Sequence, residues 1–166
     1  MLSKLTVEHA KDFHRWISNK KAVQYSLSSF LPDRDYTWSR EYIKKISSDP
    51  KAWNQVIVFN GLNIGYCGLS GISETNKCAE FFILIGDDEY WNQGIGTKAG
   101  TLVLKYGFMN LNLNRIGLTV SECNIGAIRS YQKIGFVQEG VIRKTCFRGG
   151  KFHDKVIMGV LNDEWS

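Results

Sequence analysis

The sequence predicts an α+β domain built on one mixed sheet. Three features carry that reading: helical periodicity near the start, strand-like runs joined by a hairpin signal in the middle, and a strand–helix–strand pattern closed by a second hairpin. At 166 residues the chain has the length of one domain around one core, expected over 1–166.

Leu2 to Leu5 reads as a short strand. Thr6 then caps a helix whose apolar face includes Ala10, Phe13, Trp16 and Ile17. A loop through Gln24 to Asp35 leads to a second helix from Tyr36 to Ser47, with Pro32 and Pro50 as loop punctuation. Trp53 to Phe59 is a strand, Asn60-Gly61 is a two-residue hairpin signal, and Leu62 to Ser70 returns. Cys78 to Ile85 is a third strand, apolar almost throughout and therefore expected to be buried on both faces. From Gly94 the spacing becomes helical, with Ala99, Leu102, Val103 and Tyr106 on one stripe. Arg115 to Val120 is a strand. Asn124 caps a helix carrying Ala127, Ile128, Tyr131 and Ile134, which stops at Gly135. Two last strands, about Val141 to Phe147 and Phe152 to Leu161, meet at Arg148-Gly149-Gly150-Lys151.

Composition narrows the class. Apolar residues make up 43% and charged residues 22%, ordinary for a globular protein, and the net charge of +5 is scattered. That balance suits an anionic ligand, but no basic stripe with interleaved aromatics marks a specific nucleic-acid partner. Cys67, Cys78, Cys123 and Cys146 form no C-x-x-C pair and no metal-finger spacing, so no metal is expected and a reducing compartment is. With no signal-like leader and no apolar run of ~18 residues, the expected setting is the cytoplasm, away from the membrane.

The first segment with chemistry in it is Trp91-Asn92-Gln93-Gly94-Ile95-Gly96-Thr97, between a strand and a helix. Glycines let the backbone turn tightly, and the helix start adds unpaired N–H groups and a positive dipole end, a site for phosphate oxygens. The glycines also fit a plain tight turn. A dinucleotide fingerprint is a third reading, since Gly94, Gly96 and Ala99 fit G-x-G-x-x-G/A and Glu122 ends the next strand. Against that fingerprint, eight residues from Gly86 to Gln93 separate the strand from the first glycine, and the preceding sheet is hairpin-connected.

A second signature follows: Asn124-Ile-Gly-Ala127-Ile-Arg129-Ser-Tyr131-Gln-Lys133-Ile-Gly135-Phe136. With the glycine loop, it resembles the GNAT acetyltransferase superfamily, whose loop reads Q/R-x-x-G-x-G/A and whose later helix reads N-x-x-A-x-x-x-Y-x-K-x-G-F. Trp91 departs from the Q/R position, while Tyr90-Trp91 before the loop and the tail from Glu139-Gly140 to Trp165 are similar to the branch of ribosomal-protein N-terminal and spermidine acetyltransferases. The resemblance implies a mostly antiparallel seven-stranded sheet with about four helices, splayed between strands four and five to admit acetyl-CoA. It also implies an acetyl-CoA-dependent N-acetyltransferase, with homodimers common among similar enzymes.

By that resemblance, Gly94 and the backbone N–H groups of Gln93, Ile95, Gly96 and Thr97 hold the pyrophosphate. Lys98, Arg129 and Lys133 add charge near the other phosphate, or form a solvated helix face. A backbone N–H near Leu84 is the expected donor to the thioester carbonyl, because family members bulge there. Tyr131 suits the proton donor, since a phenol of pKa ~10 stays protonated at neutral pH and a thiolate of pKa about 8.5 accepts a proton. Glu80 is the expected base, working through water, because a carboxylate in an apolar strand is costly unless paired or functional, and it matches a glutamate in the similar branch. Glu122 is the alternative base. Asn124 serves as helix cap or as a hydrogen-bond partner of the cofactor arm. His9 and His14 read as packing or surface residues, and no cysteine is placed as a nucleophile, so direct transfer is expected.

The acceptor groove is expected between the segment from Gln24 to Trp38 and the last hairpin, with Tyr25, Phe30, Trp38, Phe147, Phe152 and His153 as candidates. Few carboxylates besides Asp33 and Asp35 mark the rim, and a basic surface repels a polycation. A protein or peptide α-amine is the leading acceptor, with a polyamine, an amino sugar or a catalytically silent CoA-binding module as alternatives.

Overall fold

Why the chain turns where it does is set by a few local contacts. Asn60 and Gly61 have φ of 49° and 79°, the left-handed pair that a tight hairpin between β2 (Trp53–Phe59) and β3 (Leu62–Ser73) requires. Asp35 accepts a hydrogen bond from Trp38 N–H at 2.7 Å and so starts α3 (Tyr36–Ser47). Asn19 does the same for a short helix α2 (Lys20–Val23), which follows α1 (Ala10–Ser18) and has too few residues for periodicity to reveal it. A computed structural model describes residues 1–26 and 30–166; residues 27–29 of the expected loop from Gln24 to Asp35 lie outside the described residues.

β1 (Leu2–Lys4), β4 (Cys78–Ile85), β5 (Arg115–Ser121), β6 (Val137–Arg148) and β7 (Lys151–Leu161) complete one sheet with β2 and β3, in the order β1-β2-β3-β4-β5-β7-β6. All pairings are antiparallel except β4 with β5. Two longer helices, α4 (Ile95–Met109) and α5 (Ile125–Ile134), flank β5 in sequence. β3 and β6 run longer than their sequence pattern suggests. β3 continues past a register shift between Ser70 and Ser73, and β6 begins at Val137 and carries shifts that break its alternation.

The sheet buries a core on each face. On one, α4 and α5 cover Phe81, Ile116, Leu118 and Met158 through Ala99, Val103, Leu104 and Ile134. On the other, α1 and α3 bring Phe13, Trp16, Ile17 and Ile43 against Val56 and Tyr66. Close packing fixes the position of α1: a Cβ at Gly86 would lie 2.1 Å from Trp16 Cβ. Arg15 also ties the helix to the end of β4, donating to Asp87 Oδ2 at 2.9 Å and to Asn63 O at 2.7 Å.

β4 corrects one expectation. Only Ala79 and Phe81 are buried, and Phe82 to Ile85 are half-buried. The reason lies in the pairing: β5 meets β4 only at Cys78–Arg115, Ala79–Ile116 and Glu80–Gly117. Beyond Glu80 the two strands part, which leaves one edge of β4 uncovered.

Candidate active site

The gap between β4 and β5 opens onto a cleft of ≈ 470 Å³. One wall is Ile83, Leu84 and Ile85; the other is α5, through Asn124, Ala127, Ser130 and Tyr131. The start of α4 closes the cleft with Gly94, Ile95, Gly96 and Thr97.

Gly94 has φ 73°, a left-handed conformation that glycine adopts without steric cost, and it sets the turn into α4. The first intrahelical bond runs from Lys98 N–H to Gly94 O at 3.0 Å. The N–H groups of Ile95, Gly96 and Thr97 therefore have no partner within the helix, and together with the helix dipole they make an anion site. A Cβ at Gly96 would lie 3.5 Å from Ile85 Cδ1 and 3.9 Å from Ser130 Oγ, so the backbone here forms part of the cleft wall. Thr97 Oγ1 and Ser130 Oγ are 2.9 Å apart and couple the two helices that meet over the gap. Arg129 and Lys133 line the cleft, as does Lys21 from α2. Exposed Lys98 and Gln93 do not line it, and the Gln93 side chain donates to Glu89 O at 2.9 Å.

Tyr131 projects from α5 into the cleft, half-buried, with its ring edge-on to Phe81 at 5.8 Å and to Phe136 at 6.0 Å. Burial among these rings pushes its pKa up to about 12. Asn124 accepts from Ala127 N–H at 3.2 Å and caps α5 while also lining the cleft.

The backbone direction of β4 narrows the carbonyl donor expected near Leu84 to the residues beside it. Gly86 donates to Ile64 O at 2.9 Å, and Leu84 lies opposite Tyr66 in the ladder. Successive residues of a strand present their N–H groups to opposite sides, so Leu84 N–H faces β3. The N–H groups of Ile83 and Ile85 face the uncovered edge. Trp91, which holds the position where the resemblance expects Gln or Arg, donates its Nε1–H to Ile85 O at 3.0 Å and so satisfies a carbonyl of that edge. Together with Lys21, Ala22, Asn92 and Ser130, it belongs to the cleft without having been singled out as a site residue from sequence. For Lys21, Ala22 and Ser130 the contribution depends on tertiary approach, which no local pattern signals, whereas Trp91 and Asn92 belong to the glycine-loop segment itself.

Glu80 does not line the cleft. It is exposed, at the last paired position before the strands part, and by strand alternation it shares the sheet face of Phe82 and Leu84, opposite that of Phe81. Its exposure removes the desolvation argument for a functional acid. Glu122 is engaged elsewhere, its Oε1 accepting from Asp154 N–H at 2.9 Å.

Of the proposed acceptor contacts, Tyr25 lines the cleft. Phe30 is a core residue instead, edge-on to Phe13 at 5.4 Å and to Tyr42 at 5.3 Å. Trp38 stacks on Tyr42 at 5.1 Å and carries Arg34 over its ring. Phe147 and Phe152 pair with each other at 4.9 Å and remain exposed, without lining the cleft. His153 bonds to Cys123 and Arg148. His9 accepts from Thr6 N–H at 3.1 Å and His14 pairs with Ser39 Oγ at 2.9 Å, both packing roles.

A parted β4/β5 pair, a glycine-led helix start facing the gap and a tyrosine on the opposite helix are the arrangement that the GNAT resemblance implies. The family model for the acetyltransferase (GNAT) domain matches residues 1–137, and the chain belongs to that family; it is an N-acetyltransferase. It is similar to the spermidine N(1)-acetyltransferase of Escherichia coli K12, 27% identical over 99% of this chain and 87% of the relative. It is also similar to the putative ribosomal N-acetyltransferase YdaF of Bacillus subtilis, 25% identical over 99% of this chain and 86% of that one. A crystal structure of spermidine N-acetyltransferase from Vibrio cholerae, in complex with CoA and spermine, superposes with a TM-score of 0.89 at 26% identity, covering 99% of this chain and 96% of that one.

Proposed function

We propose that the enzyme transfers acetyl directly from acetyl-CoA to a primary amine, with a protein or peptide N-terminal α-amine as the acceptor class. The observation that carries the reading is the parting of β4 and β5 beyond Glu80 and Gly117, beside the unpaired N–H groups of α4. An extended pantetheine arm fits along the uncovered edge of β4, and the pyrophosphate fits the start of α4. Arg129 and Lys133 supply nearby positive charge, while Lys21 is paired with Asp88 at 3.1 Å.

In this reading Ile83 or Ile85 N–H donates to the thioester oxygen as charge builds there. The amine nitrogen forms its bond to the carbonyl carbon, the carbon–sulfur bond breaks, and Tyr131 gives its proton to the leaving sulfur. The ammonium proton of the adduct goes to water, with Glu80 as the relaying base, and solvent reprotonates Tyr131. Tyr131 and Glu80 lie on opposite faces of the sheet, so donor and acceptor approach the gap from opposite sides. An α-amine of pKa ~8 is partly neutral at pH 7 and asks little of an exposed carboxylate.

A polyamine is the second reading, favoured by the likeness to a structure that holds CoA and spermine. Against it, Asp35 is committed to capping α3 and the chain carries a net charge of +5. Four free thiols, with Cys67 and Cys146 buried, support a reducing, cytoplasmic setting for a single domain over 1–166, and no helix among the described residues is long and apolar enough to cross a membrane. The exposed apolar residues Val137, Val141 and Ile142 on edge strand β6 support a homodimer.

Competition decides the acceptor. With equimolar spermidine and a peptide of free α-amine, mass spectrometry should find the acetyl group on the peptide terminus. Acetyl-spermidine as the dominant product would replace the leading reading with the second, and hydrolysis without either product would overturn both.

A further inference from the structure

Outside the cleft, pairing of β5 with β7 brings Glu122 and Cys123 against His153 and Asp154, thirty residues later in the chain. We infer that Glu122, Cys123 and His153 form a binding site for one thiophilic divalent cation of the zinc class.

The three donor atoms already stand together. Cys123 Sγ is 3.1 Å from His153 Nδ1, Glu122 Oε1 is 3.6 Å from the same nitrogen, and all three lie within 4.8 Å of one another. A tetrahedral zinc ion, with bonds of about 2.3 Å to sulfur and about 2.0 Å to nitrogen and oxygen, sets sulfur–nitrogen and nitrogen–oxygen separations of about 3.5 and about 3.3 Å. The two observed distances to Nδ1 are already close to these.

The surroundings orient the donors independently. His153 Nε2 lies 3.1 Å from Arg148 O, and a carbonyl can only accept, so Nε2 carries a hydrogen and in the neutral ring the Nδ1 lone pair is free for a metal. That is the arrangement in which the second ring nitrogen of a metal-binding histidine is anchored to a backbone carbonyl. Asp154 N–H fixes the Glu122 carboxylate in turn, at 2.9 Å. On binding, a metal–sulfur bond forms, the Cys123 thiol proton leaves to solvent, and thiolate plus carboxylate neutralise the dication. The Glu122 side chain is 44% exposed, so solvent reaches the site. Sequence spacing could not show this set: Glu122 and Cys123 are adjacent, and the third member arrives only through the strand pairing.

The test uses the whole chain and cobalt(II) as the probe. One equivalent should produce a thiolate-to-cobalt charge-transfer band, which zinc then removes. Cys123→Ser should abolish the band, His153→Ala and Glu122→Gln should each weaken binding at least about tenfold, and Cys78→Ser should change nothing. Absence of the band at one equivalent, or its survival in Cys123→Ser, would overturn the site. If that variant does not fold, wild-type protein gives the answer: zinc should protect Cys123 from iodoacetamide by peptide mapping. Alkylation at an unchanged rate would sink the proposal.

Discussion

The Tyr131 ring packs edge-on to Phe81 and Phe136, and desolvation holds its proton far beyond neutral pH, with a pKa up to about 12. Two consequences follow at this residue. Tyr131→Phe should lower turnover by about 10²- to 10³-fold while leaving acetyl-CoA affinity within about twofold, because it removes a proton and little area. Steady-state kinetics with an acetyl-CoA binding titration checks this, and unchanged turnover would remove Tyr131 from the mechanism. The second concerns pH. The folded pKa lies above the usual ~10, so the contribution to stability is fully present below pH ~10 and is lost as pH rises towards 12. Alkaline unfolding should be less steep in this window for Tyr131→Phe than for the wild type. The tyrosine was legible in the sequence because its helix signature is local. Its raised pKa was not, because it depends on Phe81, which arrives from β4. Leu84 shows the same boundary: the strand could be read, but the direction of its N–H depends on the register with β3.

At the scale of elements, α5 does two things with one residue. Asn124 accepts from Ala127 N–H at 3.2 Å and also faces the cleft. Asn124→Ala should therefore lose about 1 kcal/mol of stability, the ordinary cost of an N-cap, and also weaken acetyl-CoA. Asn124→Ser separates the two, because serine can cap but does not reach as far. It should restore the stability lost in Asn124→Ala while leaving cofactor affinity reduced; full recovery of both in thermal melts and binding titrations would assign Asn124 to capping alone. The elements legible from sequence were those with local punctuation: the Asn60-Gly61 hairpin, the cap of α5, and the glycine-led start of α4. α2 escaped because four residues carry no period, and the first part of β6, from Val137 to Gly140, because a register shift there breaks the alternation. Lys98 was grouped with Arg129 and Lys133 on charge, yet the orientation of α4 keeps it off the cleft that α5 lines with the other two.

For the molecule as a whole, the cleft exists because two packed halves meet along three residue pairs. β1 to β4 are held by α1 and α3 on one face, β5 to β7 extend the sheet, and only Cys78, Ala79 and Glu80 join β4 to β5. Helices α4 and α5 bridge the parting on the other face through Gly100, where a Cβ would stand 2.4 Å from Ile134 Cδ1, and through the Thr97–Ser130 contact. A ligand lying in the gap touches both halves, so its binding energy adds to the stability of the whole fold. At 100 times its dissociation constant, acetyl-CoA should add about 2.7 kcal/mol. For a chain of this size that corresponds to a rise in unfolding temperature of roughly 5–11 °C. NAD is the control, since it presents a pyrophosphate to the same helix start without an arm that can pair along β4. A shift with acetyl-CoA alone is expected in scanning fluorimetry. Equal shifts with both would mean that the helix start recognises pyrophosphate and the uncovered edge of β4 adds nothing; a shift with neither would remove the cleft as the cofactor site.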